Sequence, residues 1–127
     1  YRLNGDLLDY HAALKKQFHP KLLEAFGSPR LSDDAPFTER HRQIAASAQA
    51  AFEEVVGDMA SWAFQQGGKR TNVAIAGGCG LNCSANGKLL RDGPFTRMYV
   101  PPAPHDAGCA VGAALLLHRA HWGPDRF

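Results

Sequence analysis

The chain of 127 residues is about one domain long, since domains average roughly 150 residues. Its 45% apolar and 20% charged residues are typical of globular proteins, which excludes a disordered chain and a small disulfide scaffold. The formal net charge of +2 is too small for a dedicated nucleic-acid-binding or membrane-surface protein, and the longest apolar run, residues 113–117, is too short to span a bilayer. Three cysteines, an odd number, indicate free thiols in a reducing compartment, so we expect a soluble cytoplasmic protein.

Residues 1–37 are predicted to form an irregular leading segment that contains two short helices. The apolar positions of these helices are Leu7, Leu8 and Leu14 in the first and Leu22, Leu23 and Phe26 in the second. Pro20 suits the start of the second helix and Gly27 its end. Two prolines and two aspartates predict that residues 28–37 form a loop.

A long helix is predicted from Thr38 onward. Its apolar residues recur at spacings of three and four, at Ile44, Ala48, Ala51, Val55, Met59 and Trp62. Thr38 is suited to cap the start of this helix, and Gly67 and Gly68 are suited to end it.

After Gly68, short apolar runs bounded by glycine and proline are typical of an α/β fold, in which strands alternate with helices. We predict a buried strand over residues 73–76, a helix over 81–90, a second strand over 97–100, and a loop followed by a helix over 106–121. Two short strands joined by a helix favour parallel neighbours in one sheet. Two glycine-containing turns then follow the carboxyl ends of the strands, which is the edge at which open α/β sheets bind ligands.

The first of these turns contains Gly77 and Gly78. Backbone N–H groups without side-chain cover, followed by the start of a helix, are suited to bind phosphate, whereas an isolated pair of glycines more commonly serves a tight turn alone. The spacing matches neither GxGxxG nor the P-loop. Asn82 could hydrogen-bond a ligand or cap the next helix, and Asn86 would share its helix face.

The second turn places Asp106 after a strand, with small residues behind it. A carboxylate in this position suits a divalent metal, and capping of the last helix is the alternative. His118 and His121 have the spacing of a helical metal pair, but histidines at a helix end commonly interact with the helix dipole. Cys79, Cys83 and Cys109 lack zinc-site spacing and are interpreted as small apolar residues with free thiols.

Two runs of residues resemble the signature of a known family. They are AGGCGLNCSANGKLL at residues 76–90 and PPAPHDAGCAVGAA at residues 101–114. With their separation, the long helix and the leading segment, they are similar to the O-carbamoyltransferases of nodulation-factor and antibiotic biosynthesis, which are related to the universal tRNA threonylcarbamoyladenosine synthase. Cys79 and Gly80 stand where the family usually has valine and alanine.

The resemblance implies that residues 38–127 are the second half of an actin-like (ribonuclease-H-like) ATP- and metal-binding domain. The other half and a carbamoyl-phosphate-handling domain would be its partners. Enzymes of this kind hydrolyse carbamoyl phosphate to carbamate, use ATP to form carbamoyl adenylate, and pass the carbamoyl group to a hydroxyl of a small-molecule acceptor. By position, Gly77, Gly78 and Asn82 would contact the nucleotide, and Asp106 would bind the divalent metal, which is iron in relatives.

The family's two metal-binding histidines, in an HxxH pattern, have no counterpart before the glycine turn, because His11, His19 and His41 are not spaced in this way. We therefore expect them outside this chain, and we expect the isolated chain to be inactive. Two alternatives remain: a tRNA threonylcarbamoyl-transfer enzyme, which the small net charge disfavours, and a sugar kinase or other ATPase of the same fold. No membrane and no nucleic acid is expected as a partner.

Overall fold

The structure, a computed structural model, describes residues 19–30 and 32–123. The described elements are four helices, a two-stranded sheet and a 3₁₀ helix. They are α1 (Pro20–Phe26), α2 (Glu39–Gln66), β1 (Asn72–Ala74), the 3₁₀ helix (Gly78–Leu81), α3 (Cys83–Asp92), β2 (Arg97–Tyr99) and α4 (Gly108–Trp122). The helix predicted around Leu7 to Leu14 lies outside the described residues. The chain divides into two compact units, residues 1–51 and residues 52–127.

In the first unit, α1 forms where proline and glycine predicted it. Pro20 occupies the first turn, and the N–H of Lys21 donates to Nδ1 of His19, which caps the helix. At the other end, the Arg40 side chain donates to the carbonyl oxygens of Phe26 (2.7 Å) and Ala25 (3.2 Å). This guanidinium satisfies carbonyls that the end of a helix leaves without partners. The second short helix is therefore confirmed.

The long helix α2 is also confirmed, with a capping box at its start. The Thr38 hydroxyl accepts from the N–H of His41 at 3.3 Å, and Nδ1 of His41 accepts from the N–H of Thr38 at 3.2 Å. Histidine takes the place that glutamate or glutamine usually has in this motif. At the other end, the N–H of Lys69 donates to the carbonyl of Phe64 at 2.9 Å, which is the long bond of a Schellman motif.

The two strands are parallel neighbours, as predicted, with Val73 opposite Met98. They are shorter than predicted, although the N–H of Ile75 still donates to the carbonyl of Tyr99 at 3.0 Å. The prediction of a buried strand is wrong: Val73 is half-buried, whereas Ala74 is exposed. Helices cover one face of the sheet, so burial alternates along the strand.

The core of the second unit lies under that covered face. Ala60, Leu89 and Phe95 are buried, and the partly buried residues packed against them are Val56, Phe64, Val73, Ile75 and Met98. The Phe64 and Phe95 rings meet edge to face, with centroids 5.9 Å apart. The α2 residues that pack on this core are thus Val56, Ala60 and Phe64, which are four residues apart. Met59 and Trp62, from the predicted apolar stripe, are 64% and 68% exposed.

The last helix, α4, is apolar but has no buried residue. Leu116 and Leu117 are 72% and 70% exposed. No helix within residues 19–30 and 32–123 is both long enough and apolar enough to cross a membrane. The fold is therefore α/β, mostly helical, with a small parallel sheet, and the actin-like assignment stays a prediction.

Candidate functional site

The site is built on two loops that follow the two parallel strands. We call residues 77–80 the glycine turn and residues 100–107 the Asp106 loop. Gly77 has φ = 98°, a conformation that a side chain would strain, so the turn depends on glycine there. The chain then tightens into the 3₁₀ helix before α3 begins at Cys83.

Asn82 is the cap of α3. Its side-chain oxygen accepts from the N–H of Ala85 at 3.0 Å, and its own N–H donates to the carbonyl of Cys79 at 3.1 Å. The capping interpretation of Asn82 is thus satisfied in the structure.

Gly78 presents an open backbone surface. It is exposed, its N–H has no partner among the residues that the structure describes, and a methyl group added to it would meet no atom within 4 Å. A bare N–H at the start of a short helix attracts an anion, because the helix leaves its first donors unpaired. This geometry is compatible with a bound phosphate.

Asp106 does not cap α4. The residue at the cap position is Ala107, which has no side-chain bond, and the N–H of Ala107 donates to Nδ1 of His105 at 3.3 Å. His105 therefore stabilises the entry to α4. The Asp106 carboxylate is exposed and makes no hydrogen bond or ion pair with a described residue. It is free to bind a cation.

The two loops are joined directly. The N–H of Gly77 donates to the carbonyl of Pro104 at 2.6 Å. Gly80 and Pro104 are both buried, and a methyl group on Gly80 would come within 3.5 Å of the Pro104 ring. The backbone is also closely packed at Gly108, where an added methyl group would collide with the carbonyl of Ala103. The structure thus brings the glycine turn and the Asp106 loop to one edge of the sheet.

An apolar groove of about 450 Å³ adjoins the Asp106 loop. It lies between the exposed face of the sheet and α4, and its lining includes Ala76, Tyr99, Pro102, Val111 and Leu115. His105 and Cys109 also line it. The groove has few polar groups, so apolar contact would dominate binding there.

The metal prediction rests on Asp106 alone within this chain. Across residues 19–30 and 32–123, no three His, Cys, Asp or Glu side chains are grouped so that they could hold a metal ion. His118 and His121 instead contact the ring of Trp122, with centroid distances of 4.8 and 5.3 Å. One carboxylate fits a metal as a single ligand, and further ligands would come from outside the described residues.

The cysteines have free thiols, as predicted, but Cys79, Cys83 and Cys109 are exposed, so their interpretation as packed apolar residues is wrong. Cys79 lies in the glycine turn, Cys83 is the first residue of α3, and Cys109 is the second residue of α4.

Sequence reasoning missed the residues that hold the two loops. The side-chain amide of Asn86 donates to the carbonyl of Gly80 at 2.8 Å, and Pro104 receives the bond from Gly77. The spacing of Asn86 from Asn82 was a usable signal, because both lie on the helix face next to the turn. No sequence feature near Pro104 predicted its contact, because its partner, Gly77, lies 27 residues earlier in the chain.

Comparison with known proteins places the chain in a family. The model of a family described as "Carbamoyltransferase N-terminus" matches residues 1–115. An uncharacterized protein from Synechocystis is 42% identical over 126 residues, which cover 99% of this chain and 20% of that protein. Nodulation protein NolNO from Sinorhizobium fredii is 41% identical over 103 residues, 71% of this chain and 15% of its own length.

Nodulation protein NolO from Bradyrhizobium diazoefficiens is 42% identical over 103 residues, which cover 71% of this chain and 19% of that protein. The chain thus spans a fifth or less of the length of these three curated relatives. No solved structure matches it.

Proposed function

The chain belongs to the carbamoyltransferase N-terminus family, and we propose that it supplies the nucleotide- and metal-facing edge of an ATP-dependent O-carbamoyltransferase. The observation that carries the proposal is the bond from Gly77 to Pro104, because it joins two loops with unpaired ligand-binding groups. One loop offers the N–H of Gly78 and the other offers the Asp106 carboxylate. A nucleotide phosphate and a divalent cation are complementary to these two groups.

The proposed reaction has three steps. Carbamoyl phosphate is hydrolysed to carbamate and phosphate. The carbamate oxygen attacks the α-phosphorus of ATP, which forms carbamoyl adenylate and releases pyrophosphate. A hydroxyl of a small-molecule acceptor then attacks the carbamoyl carbon, the hydroxyl proton is lost, and AMP leaves.

Residues of this chain would bind and orient the nucleotide in that reaction. The N–H of Gly78 would donate to a phosphate oxygen, and the amide nitrogen of Asn82 would donate beside it. Asp106 would bind the divalent cation, with iron as the expected metal, and a bound cation would neutralise phosphate charge. The remaining ligands of the metal, the other half of the ATPase domain and the carbamoyl-phosphate domain are proposed to belong to the rest of the enzyme.

The family match supports carbamoyl transfer over a sugar kinase of the same fold, and two relatives named as nodulation proteins favour a small-molecule or oligosaccharide acceptor over tRNA. The formal net charge of +2 also disfavours tRNA binding.

The test uses the full-length enzyme with ATP and candidate hydroxyl acceptors. We expect AMP release that requires carbamoyl phosphate and transfer of its labelled carbon to the acceptor. AMP release that instead requires threonine, bicarbonate and a tRNA acceptor would indicate the tRNA-modifying alternative, and ADP release without carbamoyl phosphate would indicate a kinase. Either of these results would overturn the proposal.

A further inference from the structure

We propose that Asn86 is a positioning residue that locks the glycine turn onto the Asp106 loop, so that a single side chain sets both the phosphate-binding and the cation-binding group. This inference rests on the proposed function for its ligands. It concerns a residue whose side-chain amide donates to the backbone of the glycine turn.

The first contact is between Asn86 and the glycine turn. The side-chain amide of Asn86, half-buried on the second turn of α3, donates to the carbonyl of Gly80 at 2.8 Å. The backbone of Asn86 is itself held in the helix by a bond from its N–H to the carbonyl of Asn82 at 3.0 Å. A rigid helix thus fixes the end of the glycine turn.

The second contact is between the glycine turn and the Asp106 loop. Gly80 is buried, and the nearest neighbours of a methyl group added there would be Ile75 at 3.4 Å and Pro104 at 3.5 Å. Two residues after Pro104 comes Asp106, and the N–H of Gly77 donates to the carbonyl of Pro104 at 2.6 Å. Movement of Gly80 therefore changes the surface on which Pro104 rests.

Besides Asn86, the glycine turn is held by backbone bonds, among them the bond from the N–H of Asn82 to the carbonyl of Cys79 at 3.1 Å. Its own bond, from the N–H of Gly80 to the carbonyl of Gly77 (2.9 Å), closes a short 3₁₀ turn, and such turns have poorer hydrogen-bond geometry than α-helices. Loss of the Asn86 donor leaves the carbonyl of the buried Gly80 without that partner. We expect the turn to loosen and the bond from Gly77 to Pro104 to open more often.

The inference predicts that substitution of Asn86 lowers the affinity for ATP and the affinity for the metal together. In full-length Asn86→Ala, affinity for ATP and affinity for the metal should both fall, each about tenfold, because a lost hydrogen bond to a buried carbonyl is of that size. Hydrogen exchange at the N–H of Gly77, measured by mass spectrometry without ligands, should become faster. A residue that only stabilised the protein would lower the melting temperature without this local change.

A second variant separates positioning from general stability. Asn86→Asp keeps the shape of the side chain but places a carboxylate against the Gly80 carbonyl at neutral pH. A carboxylate cannot donate to a carbonyl oxygen, so at neutral pH the ATP affinity should fall as it does in Asn86→Ala. The matched control is Asn72→Asp, the same change at an exposed asparagine of β1, which should match wild type.

The outcomes are distinguishable. Unchanged exchange at Gly77 in both Asn86 variants would overturn the positioning role, whatever their activity. Faster exchange at Gly77 in the Asn86 variants of a full-length protein whose wild type binds no ATP would leave the positioning role standing and would refute the proposed function instead. Wild-type affinity for ATP in Asn86→Asp at neutral pH would also overturn the inference.

Discussion

At the scale of single residues, the site depends on groups that the protein leaves without partners. The Asp106 carboxylate makes no hydrogen bond or ion pair with a described residue, and the N–H of Gly78 has no acceptor among the described residues. Elsewhere at this edge, polar groups are used for structure, as with Asn82 and His105. Free polar groups beside occupied ones are the pattern expected of a ligand site.

Asp106→Asn tests the metal role. In the full-length enzyme, metal content should fall and carbamoyl transfer should be lost, because an amide oxygen is a much poorer ligand for a divalent cation than a carboxylate. The melting temperature should barely change, since the carboxylate makes no bond to a described residue. Metal analysis of the purified protein and a thermal melt measure the two effects.

The matched control for that variant is Asp34→Asn, the same change at an exposed aspartate in the loop before α2. It should keep its metal and its activity. Full metal occupancy and full activity in Asp106→Asn would mean that the carboxylate has no part in the site.

Gly78→Val tests the phosphate contact. The added side chain meets no protein atom within 4 Å, and φ at this position is not positive, so the fold should be retained. Its bulk would occupy the space that a phosphate needs, and ATP affinity should fall by at least tenfold, or about 1.4 kcal/mol. Calorimetry on the full-length protein measures the affinity.

Gly57→Val is the control, because Gly57 also has open space around its Cβ position but lies within α2, away from both loops. We expect it to bind ATP like wild type. Equal ATP affinities for the two variants would reduce the glycine turn to a tight turn without a role in binding.

The residue types proposed to bind ligands could be singled out from sequence, but the residues that position them could not. Gly78 and Asp106 stand out because each follows the carboxyl end of a strand, the edge at which open α/β sheets bind ligands. Pro104 supports the site through a backbone carbonyl, which every residue has. A contact of this kind forms between residues that are far apart in the chain. The local sequence pattern around Pro104 therefore does not predict it.

At the scale of elements, the start of α2 depends on a histidine. In the reciprocal bonds between Thr38 and His41, the imidazole nitrogen acts as an acceptor for the N–H of Thr38. The edge-to-face contact of His41 with Phe37 places the ring at this position as well. The first turn of α2 should therefore respond to substitution of this histidine.

His41→Ala should destabilise the first turn of α2 by about 1 kcal/mol, the typical cost of a lost N-terminal cap. His41→Gln should restore much of that loss, because glutamine is a usual partner of threonine in the capping box. Hydrogen exchange in the first turn of α2 measures both. Similar exchange in wild type and in His41→Ala would show that Thr38 caps the helix without help.

The length of α2 could be predicted, but its packed face could not. Alanines occur on several faces of this helix, so spacings of three and four fit more than one stripe. Val56, Ala60 and Phe64 pack on the core because β1, β2 and α3 are placed there, whereas Met59 and Trp62 remain exposed. The choice between two apolar stripes is made by the neighbouring elements.

At the scale of the whole molecule, the exposed apolar surfaces indicate where further parts of the enzyme would pack. Parallel sheets are normally covered on both faces, and a helix that is apolar on all sides is normally buried. In this chain the outer face of the sheet, at Tyr99, and the leucines of α4 are exposed. We propose that the rest of the predicted ATPase domain packs against these surfaces in the full-length enzyme.

The central claim is that the glycine turn and the Asp106 loop bind one nucleotide and one metal side by side. The most direct measurement is a structure of the full-length enzyme with a non-hydrolysable ATP analogue and its divalent metal. We expect a phosphate oxygen about 3 Å from the nitrogen of Gly78 and the metal about 2.0–2.4 Å from an Asp106 oxygen. A nucleotide bound elsewhere, with Asp106 facing solvent and Gly78 empty, would contradict the account.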